Sequence, residues 1–103
     1  MYRLEYLPIA KQDMMDMVRY ISHELSNPAA AERLASEVIQ AAERLVDLPH
    51  SHPVFNPIRP LQQEYRRLLV QNYLMLYSVD ERQKLITVAR VIYARRDYEK
   101  LLD

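Results

Sequence analysis

The chain has 103 residues, half of them hydrophobic, and its 14 basic and 14 acidic side chains cancel to a net charge of zero. This length predicts a single domain, residues 1–103, with a core that needs no disulfide or metal. The sequence contains no cysteine and no glycine, which excludes disulfides, thiolate metal sites and glycine-rich phosphate loops. The N-terminus lacks an apolar signal segment, and the longest uncharged run, Leu68 to Val79, is too short to span a bilayer. We therefore expect a cytoplasmic protein with no membrane contact.

Charge is distributed unevenly along the chain. Residues 1–51 hold five basic and eight acidic side chains, whereas residues 52–103 hold nine basic and six acidic ones. The stretch from Arg59 to Arg96 carries a net charge of +5. This pattern favours an anionic or acidic partner for the second half, although an ordinary solvated charge imbalance would look the same.

The first half predicts a strand and two helices. Residues 2–7 alternate in polarity as a short strand does, and Pro8 suits the first turn of a helix. Apolar residues then recur at three- and four-residue steps as far as Leu25, which predicts an amphipathic helix. Asn27 can cap a second helix over Pro28 to Leu48, and the short break between the two predicts an antiparallel helical hairpin.

A proline-rich loop, His50 to Pro60, follows the hairpin. His50 and His52 could share a metal ion, but the loop offers no third ligand, and solvated imidazoles are the ordinary outcome for such residues. We expect neither a metal nor a cofactor.

Three β-branched and aromatic runs then predict strands, over Arg66 to Gln71, Tyr73 to Val79 and Lys84 to Tyr93. The middle run is apolar on both faces, so we expect it to be the central strand. Because glycine is absent, the left-handed turn positions are predicted at Asn72 and Asp80, the residue types that tolerate them best. A short helix or loose tail is expected over residues 94–103.

The order strand, helix, helix, three strands and tail resembles the RelE/ParE superfamily of bacterial type II toxins. The resemblance covers nearly the whole chain and is carried by the segments DMMDMVRYISHEL, NPAAAERL, YRRLLVQNYLMLYSVD and VARVIYARRDYEKLL. It implies an α+β fold in which an N-terminal strand and a three-stranded antiparallel meander form a small antiparallel sheet on the helical hairpin. It also implies a cognate antitoxin as partner, in a toxin–antitoxin hetero-oligomer.

Two kinds of activity occur in this superfamily. RelE-like members cut mRNA on the ribosome, and ParE-like members bind DNA gyrase and poison it. Where the ribonuclease branch typically has Arg-Leu-Val-Tyr in the central strand, this chain has Leu74-Met75-Leu76-Tyr77, so the phosphate-binding arginine is missing. The apolar strand favours the ParE-like branch and gyrase, although Tyr93 stands where that branch often has histidine.

The candidate site consists of cationic and phenolic side chains in the second half of the chain. For a gyrase-binding toxin, the predicted contacts are Arg66, Arg90, Arg95, Arg96 and Tyr98. Ribonuclease chemistry would need a base, an acid and cations around the phosphate, and its candidates are Arg66, Arg90, Tyr93 and Arg96. Glu64 is the one carboxylate that the sequence places beside these arginines. Alternation puts Arg66 and Arg67 on opposite faces, so at most one of them belongs to any single-face site.

Overall fold

The computed structural model describes residues 1–55 and 63–95 of the chain. Two helices pack on one face of a four-stranded sheet, which confirms the predicted α+β fold. The elements are β1 (Arg3–Tyr6), α1 (Pro8–Arg19), a π-helical turn (Tyr20–Glu24), α2 (Pro28–Arg44), β2 (Arg66–Val70), β3 (Tyr73–Asp80) and β4 (Leu85–Tyr93).

The strands lie in the order β1-β4-β3-β2. The predicted antiparallel meander is confirmed for β2, β3 and β4. In contrast, β1 runs parallel to β4, with Arg3 opposite Leu85 and Tyr6 opposite Val88, so the implied all-antiparallel sheet is wrong at this strand. A parallel neighbour requires a long crossover, which the helical hairpin and the first two meander strands provide here.

Both faces of β3 are covered, as predicted for the central strand. Residues 74–78 are all buried. On the hairpin side, Met75 and Tyr77 pack with buried residues of α1, α2 and β4. On the opposite side, Leu74 and Leu76 form a smaller cluster with Phe55 and Ile92. The sheet therefore contributes to two apolar layers, of which the one beneath the helices is larger.

Local signals set the ends of the two helices. Pro8 occupies the first turn of α1, and the Asn27 Oδ1 atom accepts a hydrogen bond of 3.1 Å from the Ala30 N–H at the start of α2. α2 ends at Arg44, four residues before the predicted end, and tighter turns follow. Leu48, the last residue of the predicted helix, is 64% exposed.

The cap of α2 is a testable contributor to stability. Asn27→Ala should lower the free energy of unfolding by about 1 kcal/mol, because the first-turn N–H of Ala30 loses its acceptor. Asn27→Ser is the matched control, since serine also caps well and should cost at most a few tenths of that amount. Urea unfolding followed by circular dichroism measures both. Equal loss in the two variants would contradict a capping role.

α1 does not continue to Leu25 as a regular helix. From Tyr20 the hydrogen bonds widen, and the Leu25 N–H donates to the Tyr20 carbonyl at 3.2 Å in the five-residue step of a π-helix. Ser26 then adopts a left-handed backbone with φ of 52°, which turns the chain toward α2.

The other left-handed positions differ from those predicted. Gln71 and Lys84 have φ of 54°, whereas Asn72 and Asp80 do not adopt positive φ. A positive φ at the first turn residue alone matches a type II′ hairpin turn. The Asp80 carboxylate instead accepts hydrogen bonds of 3.0 Å from the N–H groups of residues 82 and 83, so the reversal is completed at Lys84.

Candidate partner-binding surface

Arg66 ties the loop after α2 to the sheet. It begins β2, and its Nη1 atom donates a 2.7 Å hydrogen bond to the His52 carbonyl. In the neighbouring strand, the hydroxyl of the buried Tyr77 donates to the Pro49 carbonyl at 3.1 Å. Burial raises the pKa of the Tyr77 phenol, and the nearby Arg66 charge opposes that rise. Arg66 is therefore half-buried and already contacts the chain's own backbone.

The opposite face of β2 is open to solvent. Arg67 is exposed, and Leu69, two residues further along the same face, is 61% exposed. The alternation predicted for Arg66 and Arg67 is confirmed, because Leu68 and Val70 pack against the helical side. A charged and an apolar side chain thus lie next to each other on the strand that ends the sheet order.

Arg90 lies inside the protein, 8% exposed. Its Nε and Nη2 atoms donate to the two carboxylate oxygens of Asp13 in α1, at 2.8 and 2.9 Å. The same carboxylate accepts a 3.0 Å hydrogen bond from the Val91 N–H. This bidentate, charge-assisted contact joins the first helix to the last strand.

β1 ends before Arg90, and this explains why Asp13 of α1 can contact β4 there. β1 pairs with β4 only as far as Val88, and Ala89 forms a bulge before Arg90 pairs with Leu76. Beyond that point no described strand covers this edge of β4, so α1 supplies the acceptor for the Val91 N–H through Asp13. A bulge re-aims side chains, which is consistent with the turn of Arg90 toward the helix.

Tyr93 and Arg95 lie at the far end of the meander. The Tyr93 ring packs edge-on against Tyr73, with 5.7 Å between ring centroids. The next residue, Ala94, donates its N–H to the Asn72 carbonyl at 2.8 Å, and Arg95 is exposed. Arg96 and Tyr98 lie outside the described residues.

The described site residues fall into two groups along β3. Arg66 and Arg90 flank its middle, in register with Tyr77 and Leu76, whereas Arg95 follows Tyr93, which is in register with Tyr73 at the start of β3. Sequence reasoning also missed Asp13, the carboxylate that contacts Arg90. The regular polar spacing of α1 gave it the same appearance as the solvent-facing charges, so no sequence signal distinguished it.

The loop histidines have other contacts. His50 Nε2 lies 2.6 Å from Glu81 Oε1, and the Tyr2 hydroxyl donates to Glu81 Oε2 at 2.7 Å. That hydrogen bond lowers the pKa of Glu81. Within residues 1–55 and 63–95 no group of three or more His, Asp or Glu side chains could hold a metal ion. Among the same residues, no helix has the length and apolar character needed to cross a membrane.

Comparison with known proteins identifies the family. Residues 4–98 match the sequence profile described as the ParE toxin of the type II toxin–antitoxin system parDE. The chain belongs to the ParE toxin family. This membership confirms the resemblance to RelE/ParE toxins and its ParE-like branch. No curated protein matches the sequence significantly.

Solved structures share the fold of this ParE-family chain at low sequence identity. A chain from the chromosomal ParDE TA system of P. aeruginosa superposes with a TM-score of 0.74 at 15% identity, covering 92% of this chain and 98% of that one. A chain from the archaeal RelE-RelB complex of Pyrococcus horikoshii OT3 superposes with a TM-score of 0.62, also at 15% identity, covering 92% and 97%. At this low sequence identity, both matches show a shared fold.

Proposed function

We propose that this ParE-family chain is the toxin of a two-component module, that a cognate antitoxin neutralises it, and that it poisons DNA gyrase by binding rather than by chemistry. The family profile over residues 4–98 supports the first part. The P. aeruginosa and Pyrococcus horikoshii proteins of similar fold come from a ParDE TA system and a RelE-RelB complex, which supports the second.

The antitoxin segment proposed here is acidic or amphipathic. Arg67 and Leu69 on the exposed face of β2 would meet a carboxylate and an apolar side chain of that segment, with charge steering the encounter and apolar burial holding it. Expression of the chain alone should then arrest growth, and co-expression of a small protein from the neighbouring reading frame should restore it. Harmless expression without any partner would argue against a toxin.

The burial of Arg90 argues against ribonuclease chemistry at this residue, and for the same reason Arg90 is left out of the proposed gyrase contacts. A ribonuclease needs cations that can reach the scissile phosphate in the transition state. Arg90 is 8% exposed, and its Nε and Nη2 donors are directed at Asp13. Leu74, which stands where the ribonuclease branch has its arginine, is buried and apolar. Among the described residues, the candidate cations Arg66 and Arg90 thus both contact groups of the protein itself, the His52 carbonyl and the Asp13 carboxylate.

A gyrase supercoiling assay with titrated toxin tests the proposed target. Toxin should abolish supercoiling and trap the cleaved DNA complex. Arg95→Ala should raise the half-inhibitory concentration about tenfold, the size expected when an arginine anchor is removed from an interface. Arg82→Ala is the matched control, because Arg82 is also exposed but lies in the β3–β4 turn. Full supercoiling at micromolar toxin would overturn the proposal.

A ribosome-dependent mRNA endoribonuclease is the second candidate, favoured by the fold shared with the archaeal RelE-RelB protein. Purified chain added to programmed ribosomes separates the two functions. The gyrase proposal expects intact mRNA. Codon-positioned cleavage that is lost in Tyr93→Phe, a substitution at an exposed phenol, would establish the ribonuclease instead.

A further inference from the structure

Three tyrosines line a recess at the end of the molecule where the helical hairpin turns. Tyr20 comes from the π-helical turn, Tyr73 begins β3 and Tyr93 ends β4. The larger part of the recess has a volume of about 510 Å³. A smaller part of about 160 Å³ shares the same three rings and leads to α1. We call the two neighbouring parts the tyrosine recess.

Two of the three rings are exposed to solvent. Tyr20 and Tyr93 are 52% and 41% exposed, and the Tyr73 and Tyr93 ring planes meet at 67°. Burial raises the pKa of the Tyr73 phenol, and the nearby phenols of Tyr20 and Tyr93 add to that rise. Aromatic faces carry negative partial charge, which attracts cations.

The charged residues that line the tyrosine recess are acidic. They are Asp13 and Asp16, and no basic side chain is among the described lining residues. Asp13 is paired with Arg90. Asp16 is 58% exposed, and among the described residues its carboxylate contacts Arg19 at 3.6 Å and the Gln12 side-chain amide. A solvent-exposed ion pair of this kind contributes little to the stability of the fold, so a cationic ligand can replace Arg19 as the partner of Asp16.

The remaining lining residues define the shape of the ligand. Ile21, Leu25 and Leu34 form apolar surface, and Gln71 and Asn72 carry side-chain amide oxygens that can accept hydrogen bonds. An apolar surface with aromatic faces, a carboxylate and amide acceptors suits a flat, weakly hydrated cation with several donors. The guanidinium group of arginine has these properties, whereas the compact, strongly hydrated lysine ammonium fits them less well.

We propose that the tyrosine recess binds an arginine side chain presented by a partner protein, with the guanidinium stacked between Tyr20 and Tyr93 and paired with Asp16. This inference goes beyond the proposed function, because it does not depend on gyrase being the target. The two proposed ligands also differ in charge. The partner segment proposed for β2 is acidic, whereas the side chain proposed for this recess is basic.

Blocked tripeptides are the probe. Ala-Arg-Ala, titrated into the 15N- and ring-labelled protein, should give saturable NMR shifts of the Tyr20 and Tyr93 ring signals. Ala-citrulline-Ala has nearly the same shape without the charge and should bind about tenfold more weakly, and Ala-Lys-Ala should fall between them. Equal binding of the arginine and citrulline peptides, or no saturable shift with either, would overturn the proposal.

Substitutions in the recess distinguish the contributions of the Tyr20 ring, the Tyr20 hydroxyl and the Asp16 charge to peptide binding. Tyr20→Leu and Asp16→Asn should each weaken Ala-Arg-Ala about 5- to 10-fold, whereas Tyr20→Phe keeps the ring and should bind as the unmodified chain does. Leu48→Ala, at an exposed position outside the recess, is the control. Since Tyr20 and Asp16 are more than half exposed, melting temperatures should stay within a few degrees. Unchanged affinity in Tyr20→Leu with an intact fold would contradict arginine stacking.

Discussion

Asp13→Ala should lower the free energy of unfolding by about 3–5 kcal/mol, the range seen when one partner of a buried ion pair is removed. The Arg90 guanidinium would remain inside the protein without its bidentate acceptor, and the Val91 N–H would lose its hydrogen bond as well. Urea unfolding followed by circular dichroism measures this change. Asp16→Ala is the matched control on the same helix, because Asp16 is 58% exposed and its loss should cost at most about 1 kcal/mol.

A double substitution shows whether the Asp13–Arg90 pair stabilises the fold by itself, or whether the cost of a single substitution arises because the other charge is left buried without its partner. Asp13→Leu combined with Arg90→Met removes both charges from the interior and should be close to neutral, or even stabilising. Each single change should cost several times more than the double change. If Asp13→Ala alone costs less than about 1 kcal/mol, the contact does not join α1 to β4 as inferred.

Tyr77→Ala should lower the free energy of unfolding by about 3–5 kcal/mol, since a fully buried aromatic ring is lost from the central strand. Tyr77→Phe keeps the ring and should cost about 1–2 kcal/mol, because the Pro49 carbonyl loses its donor. The same urea experiment measures both variants.

Hydrogen exchange localises the effect of the missing hydroxyl. The Arg67 N–H donates to the Pro53 carbonyl and the Phe55 N–H donates to the Tyr65 carbonyl. Both amides should exchange faster in Tyr77→Phe if the hydroxyl holds the loop to the sheet. Amides between β3 and β4 should keep their protection, so a uniform loss across the sheet would indicate global destabilisation instead.

The elements that sequence predicted well are those with local causes. Pro8, Asn27 and Pro28 mark helix starts through their own backbone chemistry, and the apolar runs after Tyr65 mark strands. The contacts that sequence missed join residues far apart along the chain. Asp13 and Arg90 are 77 positions apart. Nothing near Asp13 distinguishes it from a solvated helix charge, and nothing in the loop sequence indicates that the His52 carbonyl accepts from Arg66.

Turn positions show a second limit of sequence reasoning. Asn72 and Asp80 have the better intrinsic tolerance for a left-handed backbone, but Gln71 and Lys84 adopt it. The register of β2 with β3 places Gln71 first in the hairpin turn, and the Asp80 carboxylate is occupied by two backbone N–H groups. Tertiary pairing thus overrides the local backbone preference at both turns.

The parallel pairing of β1 with β4 sets when the protein can finish folding during its synthesis. Arg3 pairs with Leu85, 82 positions later, so β1 leaves the ribosome long before its partner strand exists. At 5–20 residues per second, this delay is roughly 4 to 16 s. The helical hairpin can form early from local contacts, but the sheet and the Asp13–Arg90 contact become complete only when β4 has emerged. A nascent toxin is therefore structurally incomplete until nearly all of it has been translated.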